Sequence, residues 1–409
     1  MKKLYLSAMI PFCIYGQNLN QLIDASLQNQ IIQSSTYNIE STKLQYKSTQ
    51  NAYLPKLTVG GYYSNTNEET MTVPDSSIVA YANLNYVVYD GGAKDHRFKS
   101  FESTIKSTEK SLNSLKNQIA LQVTTYYFNY LSLVSQKEAK QKEIETLSAQ
   151  QKRLQKFFEV GTTTSDEIDK IVSRVQTANV TLHEIELQIQ TILHNLEYLT
   201  ATQVDISDGS TVKEFISKEK LLRSDIIALE HQMDSIKQTA NVTNSSNYPT
   251  ISLDNTLYYY DMNYDNATYQ SATIDSQNIF KINFAWKLYD FGSSSDAYKS
   301  VYKQYQALKS SYEYEKNKAS VDLKLALKSY DIAKLKIASA KAGLKAANST
   351  YETIEKKYKN GLVENVAYLE ALSEKYGAIS LLKAAQFDLE IKKVNIIYHS
   401  GENIWEYVK

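Results

Sequence analysis

Residues 86–95 read YVVYDGGAKD, and residues 286–295 read WKLYDFGSSS. Tyr89-Asp90 is answered by Tyr289-Asp290 and Gly92 by Gly292, each 200 positions on. In both copies the phrase closes an alternating apolar run and opens a stretch free of helix breakers. Interior Gly costs about 1 kcal/mol in a helix and interior Pro about 3 kcal/mol, so these residues punctuate the chain. From 93 to 160 there is neither, nor from 162 to 208; from 293 to 360 only Gly343 intervenes, and from 362 to 400 only Gly377. The four stretches are rich in Lys, Leu, Ala, Gln and Glu. Leu112, Leu115, Ile119, Tyr126 and Leu133 recur near heptad spacing, as do Leu369, Leu372, Tyr376 and Ile379. Very long helices are expected, and one from 93 to about 157 would run roughly 95 Å at 1.5 Å per residue.

Between them lie two segments of another character. Residues 56–64 (KLTVGGYYS) and 79–89 (VAYANLNYVVY) flank a polar loop, and so do 250–260 (TISLDNTLYYY) and 279–289 (IFKINFAWKLY). Phe280, Ile282, Phe284, Trp286 and Leu288 alternate with Lys281, Asn283, Ala285 and Lys287, which is the period of a strand. Runs of about 9–11 residues are long enough to cross a bilayer at a tilt. Pro55 and Pro249 stand just before the first strand of each pair, where a missing N–H does least harm. Tyr62, Tyr63, Tyr86, Tyr89, Tyr258, Tyr259 and Tyr260 fall at strand ends, as an interfacial aromatic girdle requires. Alternation alone is met equally by a soluble hairpin with one buried face.

The chain has 409 residues and a formal net charge of zero, which gives no basic field for nucleic acid. Its opening, MKKLYLSAMIPFCIYG, has Lys2 and Lys3 before an apolar run too short to span a bilayer, the form of a signal peptide over residues 1–16. Cys13 is the one cysteine, and Phe12 sits where lipidation wants a small residue. The mature chain is thus expected to hold no disulfide and no thiolate metal site. No run of 18 apolar residues follows, a test that does not detect membrane strands. His96, His183, His194, His231 and His399 show no i,i+4 pairing, and no phosphate loop, G-x-S-x-G or H-E-x-x-H occurs. No enzyme, cofactor or metal is expected.

The opening phrase repeats because the chain is an internal duplication. Gly161 pairs with Gly361, Asn195 with Asn395 and Tyr198 with Tyr398 at the same offset of 200, while Pro55 and Pro249 differ by 194. The first repeat is assigned to 17–202, with a helical hairpin over about 93–200 turning at 161–165. A linker follows over 203–217. The second repeat covers 218–409, with a hairpin over about 293–400 turning at 360–365. Gly161 and Gly361 supply the left-handed residue that ends a helix, and Thr164 with Glu167 fits a capping box for the return helix.

This organisation resembles the TolC family of bacterial outer-membrane efflux proteins. The resemblance rests on AYLPKLTVGGYY (52–63), NYPTISLDNTLYY (247–259), VYDGG (88–92), LYDFG (288–292), FEVGTTTSDEID (158–169) and YKNGLVENVAYLEA (358–371). RSDIIALEHQM (223–233) is similar to the family's opening of the second repeat, with Ser224 where a proline is usual. It implies an α+β membrane protein. Four strands per chain would build a trimeric twelve-stranded β-barrel, continued by an α-helical coiled-coil tube through the periplasm. Physics asks for oligomers independently, since four strands cannot close and open edges in lipid leave backbone groups unpaired.

The implied function is the exit duct of a tripartite efflux or type I secretion system. Its partners would be a periplasmic adaptor protein, an inner-membrane pump of RND, ABC or MFS type, and outer-membrane lipid. By the same resemblance the adaptor contacts are Val160, Gly161, Thr162, Thr163 and Thr164 on one turn, and Asn360, Gly361, Leu362 and Val363 on the other. They are equally read as turn residues alone. Family members carry acidic residues after the second turn; here Glu370 matches one position and Ala367 departs at the other. Asp166, Glu167 and Asp169 on the first turn are the compensating gate candidates. The alternative is an exported structural coiled-coil protein that never enters lipid.

Overall fold

A computed structural model describes residues 16–214 and 222–409. Except for Gly16, the expected signal peptide lies outside these residues, as do the lipidation reading of Cys13 and positions 215–217 of the expected linker. Two helices, α1 (Leu19–Ser26) and α2 (Gln30–Ala52), lead into strands β1 (Lys56–Asn65) and β2 (Ser76–Asp90). Then come α3 (Ala93–Glu159) and α4 (Ser165–Thr200). The order recurs as α5 (Ser224–Asn244), β3 (Thr250–Asn263), a single turn α6 (Ala267–Gln270), β4 (Ser276–Ala285), α7 (Ser293–Lys359) and α8 (Asn365–Ser400). Helices α3 and α7 are both 67 residues long, and α4 and α8 both 36. Stretches without breakers have become single helices.

The repeated phrase starts those helices. The Asp90 carboxylate accepts the Lys94 N–H at 2.8 Å, and Asp290 accepts the Gly292 and Ser294 N–H groups at 3.2 and 3.0 Å. These are donors of a helix N-terminus, which lack intrahelical partners and favour negative charge. Gly91 has φ +72°, and a Cβ there would sit 2.4 Å from the Ser245 carbonyl oxygen. The second copy puts Phe291 in the same left-handed region, at φ 55°, with 90% exposure.

Two compact units cut across the repeat, and α3 and α7 each contribute to both. The unit of Ser35–Ser111 and Asp225–Glu315 holds a four-stranded antiparallel sheet in the order β1-β2-β3-β4. Directly opposed residues in such a ladder share a face. Leu57, Leu84, Asn255 and Phe280 form one row, and Val59, Ala82, Leu257 and Asn278 the next on that face. The other face carries Thr58, Asn83, Thr256 and Ile279 in one row, and Lys56, Asn85, Asp254 and Lys281 in another. Asp254 accepts from Asn83 at 3.0 Å, Asn85 at 3.3 Å and Thr256 at 3.2 Å, so this face has its own hydrogen-bonded layer. One face is thus largely apolar and exposed, the other largely polar.

Two expectations are corrected here. First, β4 stops at Ala285 rather than continuing to 289, so Trp286 and Leu288 are outside the strand. The partner strand begins at Thr250, paired to Ala285, directly after Pro249, and leaves no residue of β3 to pair with residue 286. Trp286 Nε1 instead donates to the Asn247 carbonyl at 3.1 Å. Second, the tyrosines do not form one girdle. Tyr63, Tyr86 and Tyr259 lie on the apolar face, and Tyr89 returns to it after a bulge between Val87 and Tyr89. Tyr62, Tyr258 and Tyr260 lie on the polar face.

In the same unit Tyr46 packs on Phe98 and Phe101, with centroid distances of 5.8 Å to each, joining α2 to α3. Small hydroxyls join α3 to α5, Ser107 donating to the Ala228 carbonyl at 2.8 Å.

The other unit packs α1 against α3, α4 and α8 through Leu19, Leu22, Val123, Tyr127, Phe128, Leu196 and Ile397. The connecting segment after α4 pairs with both ends of the described chain, Gln17 with Ile206 and Val212 with Val408. The Val212 N–H also reaches Glu390 at 2.9 Å. Both 36-residue helices end in a left-handed cap. Gly401 takes it at φ 88°, with room for no Cβ beside Leu222, and Ala201 takes it at φ 55°.

Candidate functional site at the two helical turns

The turns after α3 and α7 are built alike, bond for bond. Gly161 N–H reaches the Phe158 carbonyl at 2.9 Å and Thr162 N–H the Phe157 carbonyl at 2.8 Å. Gly361 reaches Tyr358 at 3.0 Å, and Leu362 reaches Lys357 at 2.9 Å. This pair of bonds, one spanning five residues and one three, is the Schellman closure, and it needs a left-handed residue. Gly161 and Gly361 supply it at φ +74° and +72°. Nothing lies within 4 Å of a Cβ built at either glycine, so the turns are open on their outer side. Val160 and Leu362 are each 72% exposed there. An exposed apolar side chain on a rigid turn is a ready contact for a partner.

The capping box does not form. Thr164 is the N-cap residue of α4, yet its side chain makes no cap hydrogen bond. Its hydroxyl goes to Asp166, the largest cause holding that carboxyl below the usual range, with Lys170 next. Lys170 Nζ lies 2.7 Å from Glu167 and 3.1 Å from Asp166, drawing both carboxylates along the helix and away from the free N–H groups. The remaining oxygen of Glu167, Oε2, is buried without a hydrogen-bond partner.

The gate candidates are not brought together. A cleft of about 550 Å³ between the first turns of α4 and α8 is lined by Asp166, Asp169, Lys170, Arg174, Val366 and Leu369, among others. Two bases therefore offset its two acids. Glu370 follows Leu369 but is exposed and does not line this cleft. Among the described residues, Asp169 and Glu370 have no ion pair. No group of three or more His, Cys, Asp or Glu side chains among the described residues is placed to hold a metal ion.

Behind the turns is a feature that sequence reasoning missed. Tyr358 of α7 stacks on Tyr368 of α8 at 4.9 Å and 14°, and Tyr351 lies 6.0 Å from the same ring. Burial pushes the Tyr351 and Tyr358 hydroxyls up. Gln150 of α3, itself buried, donates to the Tyr358 hydroxyl, and Arg153 lies over the Tyr358 ring at 5.9 Å. Around them pack Leu147, Leu154, Ile171, Val175, Leu369 and Leu372. The available signal was the seven-residue spacing of Tyr351 and Tyr358.

Higher on the hairpins, apolar surface is left open. Val180 and Leu187 of α4 are exposed, off the buried stripe of Ile171, Val175, Ala178 and Ile185. Helices α7 and α8 enclose an apolar groove of about 600 Å³ floored by Ala340, Gly343, Ala378 and Ala384, with Leu335 and Leu381 exposed on its rim.

Comparison with known proteins agrees with this geometry. The family model for the outer membrane efflux protein matches residues 22–202 and again 215–398, one match per repeat. No curated protein sequence matches the chain. Among solved structures, the outer membrane channel CmeC of Campylobacter jejuni superposes with a TM-score of 0.84 at 18% identity, covering 94% of this chain and 86% of that one. The outer membrane protein VceC of Vibrio cholerae gives 0.82 at 15% identity, covering 94% and 96%. The open state of the MtrE channel of Neisseria gonorrhoeae gives 0.78 at 16%, covering 94% and 89%.

Proposed function

This chain belongs to the outer membrane efflux protein family, and from that premise we propose that it is the passive exit duct of a tripartite efflux or secretion assembly. Three copies would contribute four strands each to one barrel, apolar face to lipid and polar face to the lumen. The observation that carries this reading is the two-faced sheet, whose outer strands β1 and β4 each have one edge without a partner among the described residues. In lipid such edges cost several kcal/mol per unpaired group, and neighbouring copies remove the cost by pairing β4 with β1.

The helical part supports the same arrangement. Leu187 stands 22 residues into α4 and Leu335 stands 24 residues before the end of α7. Both are roughly 33–36 Å from their turns at 1.5 Å per residue. The exposed Val180 and Leu187 of one copy thus fit the Leu335 and Leu381 rim of the next. The turns, with Val160 and Leu362 outermost, would dock the periplasmic adaptor, which couples the duct to an inner-membrane pump. The family is one of channels, and the duct performs no chemistry: it offers a path, and selectivity comes from wall groups such as Glu370.

Extraction of outer membranes in mild detergent is expected to yield a heat-sensitive trimer that conducts ions in a planar bilayer. A single copy that stays folded and water-soluble without detergent would overturn the proposal in favour of an exported structural coiled coil.

A further inference from the structure

The tyrosines on the polar face were expected in a lipid girdle, and their position there needs another account. Tyr258 and Tyr260 stack with centroids 5.6 Å apart and planes 10° apart, and Tyr81 lies 6.1 Å from Tyr258. Tyr81 covers Gly60 on the adjoining strand: a Cβ at Gly60 would sit 2.6 Å from the ring's Cζ and Oη. Val79, opposed to Tyr62 on one side and Tyr260 on the other, is only 2% exposed although it lies on this polar face. Three of the rings therefore form one aromatic surface over β2 and β3 in the loop-side half of the sheet, and Tyr62 of β1 stands in the same row as Tyr260, across Val79. The charge around it has one sign. Between Leu57 and Ala93, and between Gln238 and Phe280, there is no Lys or Arg, while Glu68, Glu69, Asp75, Asp265 and Asp275, all outside the strands, are acidic. The basic groups of this face, Lys56 and Lys281, lie in a row nearer the helices.

We propose that Tyr62, Tyr81, Tyr258 and Tyr260 form a lumenal aromatic belt that binds amphiphilic organic cations carrying aromatic rings on their way out. The inference rests on the duct reading, which turns this face inward. A ring face attracts a cation through its quadrupole, most strongly where water is displaced. Acidic loops beyond the belt favour the same sign of charge, and a flat ring stacks where an aliphatic group does not. Gly60 keeps the surface continuous by leaving room for Tyr81.

The test uses full-length trimers in a planar bilayer, with tetraphenylphosphonium added on the loop side. Concentration-dependent block is expected. Tetrabutylphosphonium, with the charge but no rings, and tetraphenylborate, with the rings but opposite charge, are expected to block at least about tenfold more weakly. The double variant Tyr81→Leu/Tyr258→Leu should weaken tetraphenylphosphonium block about tenfold, and Tyr81→Phe/Tyr258→Phe should retain it. Equal block by the three probes, or unchanged block in the leucine variant, overturns the belt while leaving the duct standing. Trimers that do not conduct at all sink the duct and the belt together. Should the leucine variant fail to assemble, the three-probe comparison on the unaltered trimer decides.

Discussion

Gly91 and Gly161 share a backbone conformation, φ +72° and +74°, and differ in what surrounds them. Alanine at either position meets the left-handed penalty of roughly 1–2 kcal/mol for an L-residue, reduced by about 0.4–1 kcal/mol through the stiffer unfolded chain. At Gly161 nothing else happens, because no atom lies within 4 Å of the new Cβ. At Gly91 the Cβ would meet the Ser245 carbonyl oxygen at 2.4 Å and Tyr248 Cβ at 3.0 Å. A backbone oxygen cannot rotate aside as a side chain does, so overpacking of about 1–3 kcal/mol is added. Gly401→Ala falls between, since its obstacle is the Leu222 carbonyl oxygen at 2.9 Å. The assay is the half-life of the detergent-solubilised trimer at a fixed elevated temperature, a rate suited to irreversible unfolding. Strain relieved on unfolding shortens that half-life by about tenfold per 1.4 kcal/mol. The expected order of half-lives is Gly161→Ala longest, Gly401→Ala next and Gly91→Ala shortest. Equal half-lives for Gly161→Ala and Gly91→Ala would refute the reasoning, because the close approach would then have no energetic consequence.

The same argument runs in reverse at Ala201, a non-glycine at φ 55°: Ala201→Gly is expected to lengthen the trimer's half-life, by up to about 1 kcal/mol of relieved strain. Leu187→Cys with Leu335→Cys should cross-link neighbouring copies under oxidation, giving dimer and trimer bands on a denaturing gel; bands from one copy alone would contradict the proposed seam. Lys170→Gln removes the cation that holds Asp166 and Glu167, and should raise the cation preference of the channel in reversal-potential measurements. Glu370→Ala should lower cation preference and weaken block by divalent cations; unchanged conductance and block would exclude Glu370 from the pore wall.

Sequence punctuation carried much of this architecture. Glycine and proline mark helix ends because their backbone penalties are local, and the 200-residue offset of Asp90 and Asp290 showed the duplication before any coordinate. The strand pattern was legible for the same local reason, since alternation reports a pleat. The capping box at Thr164 looked equally local and was not. Lys170, a turn further on, competes for the carboxylate that the box requires. The tyrosine cluster behind the turns was hidden because Gln150, Tyr358 and Tyr368 meet only when three helices pack.

What the chain determines by itself is therefore where the long helices start and turn, and that the unit is written twice. Which face a residue occupies across strands is a different matter. Tyr62 and Tyr63 are neighbours in sequence and look alike, yet register puts one among Val79 and Tyr260 and the other opposite Ile78. The end of β4 at Ala285 likewise follows from where β3 begins. Pairing is a long-range choice between strands, and a one-residue slip exchanges the two faces, so only the tertiary structure fixed which tyrosines line the polar side.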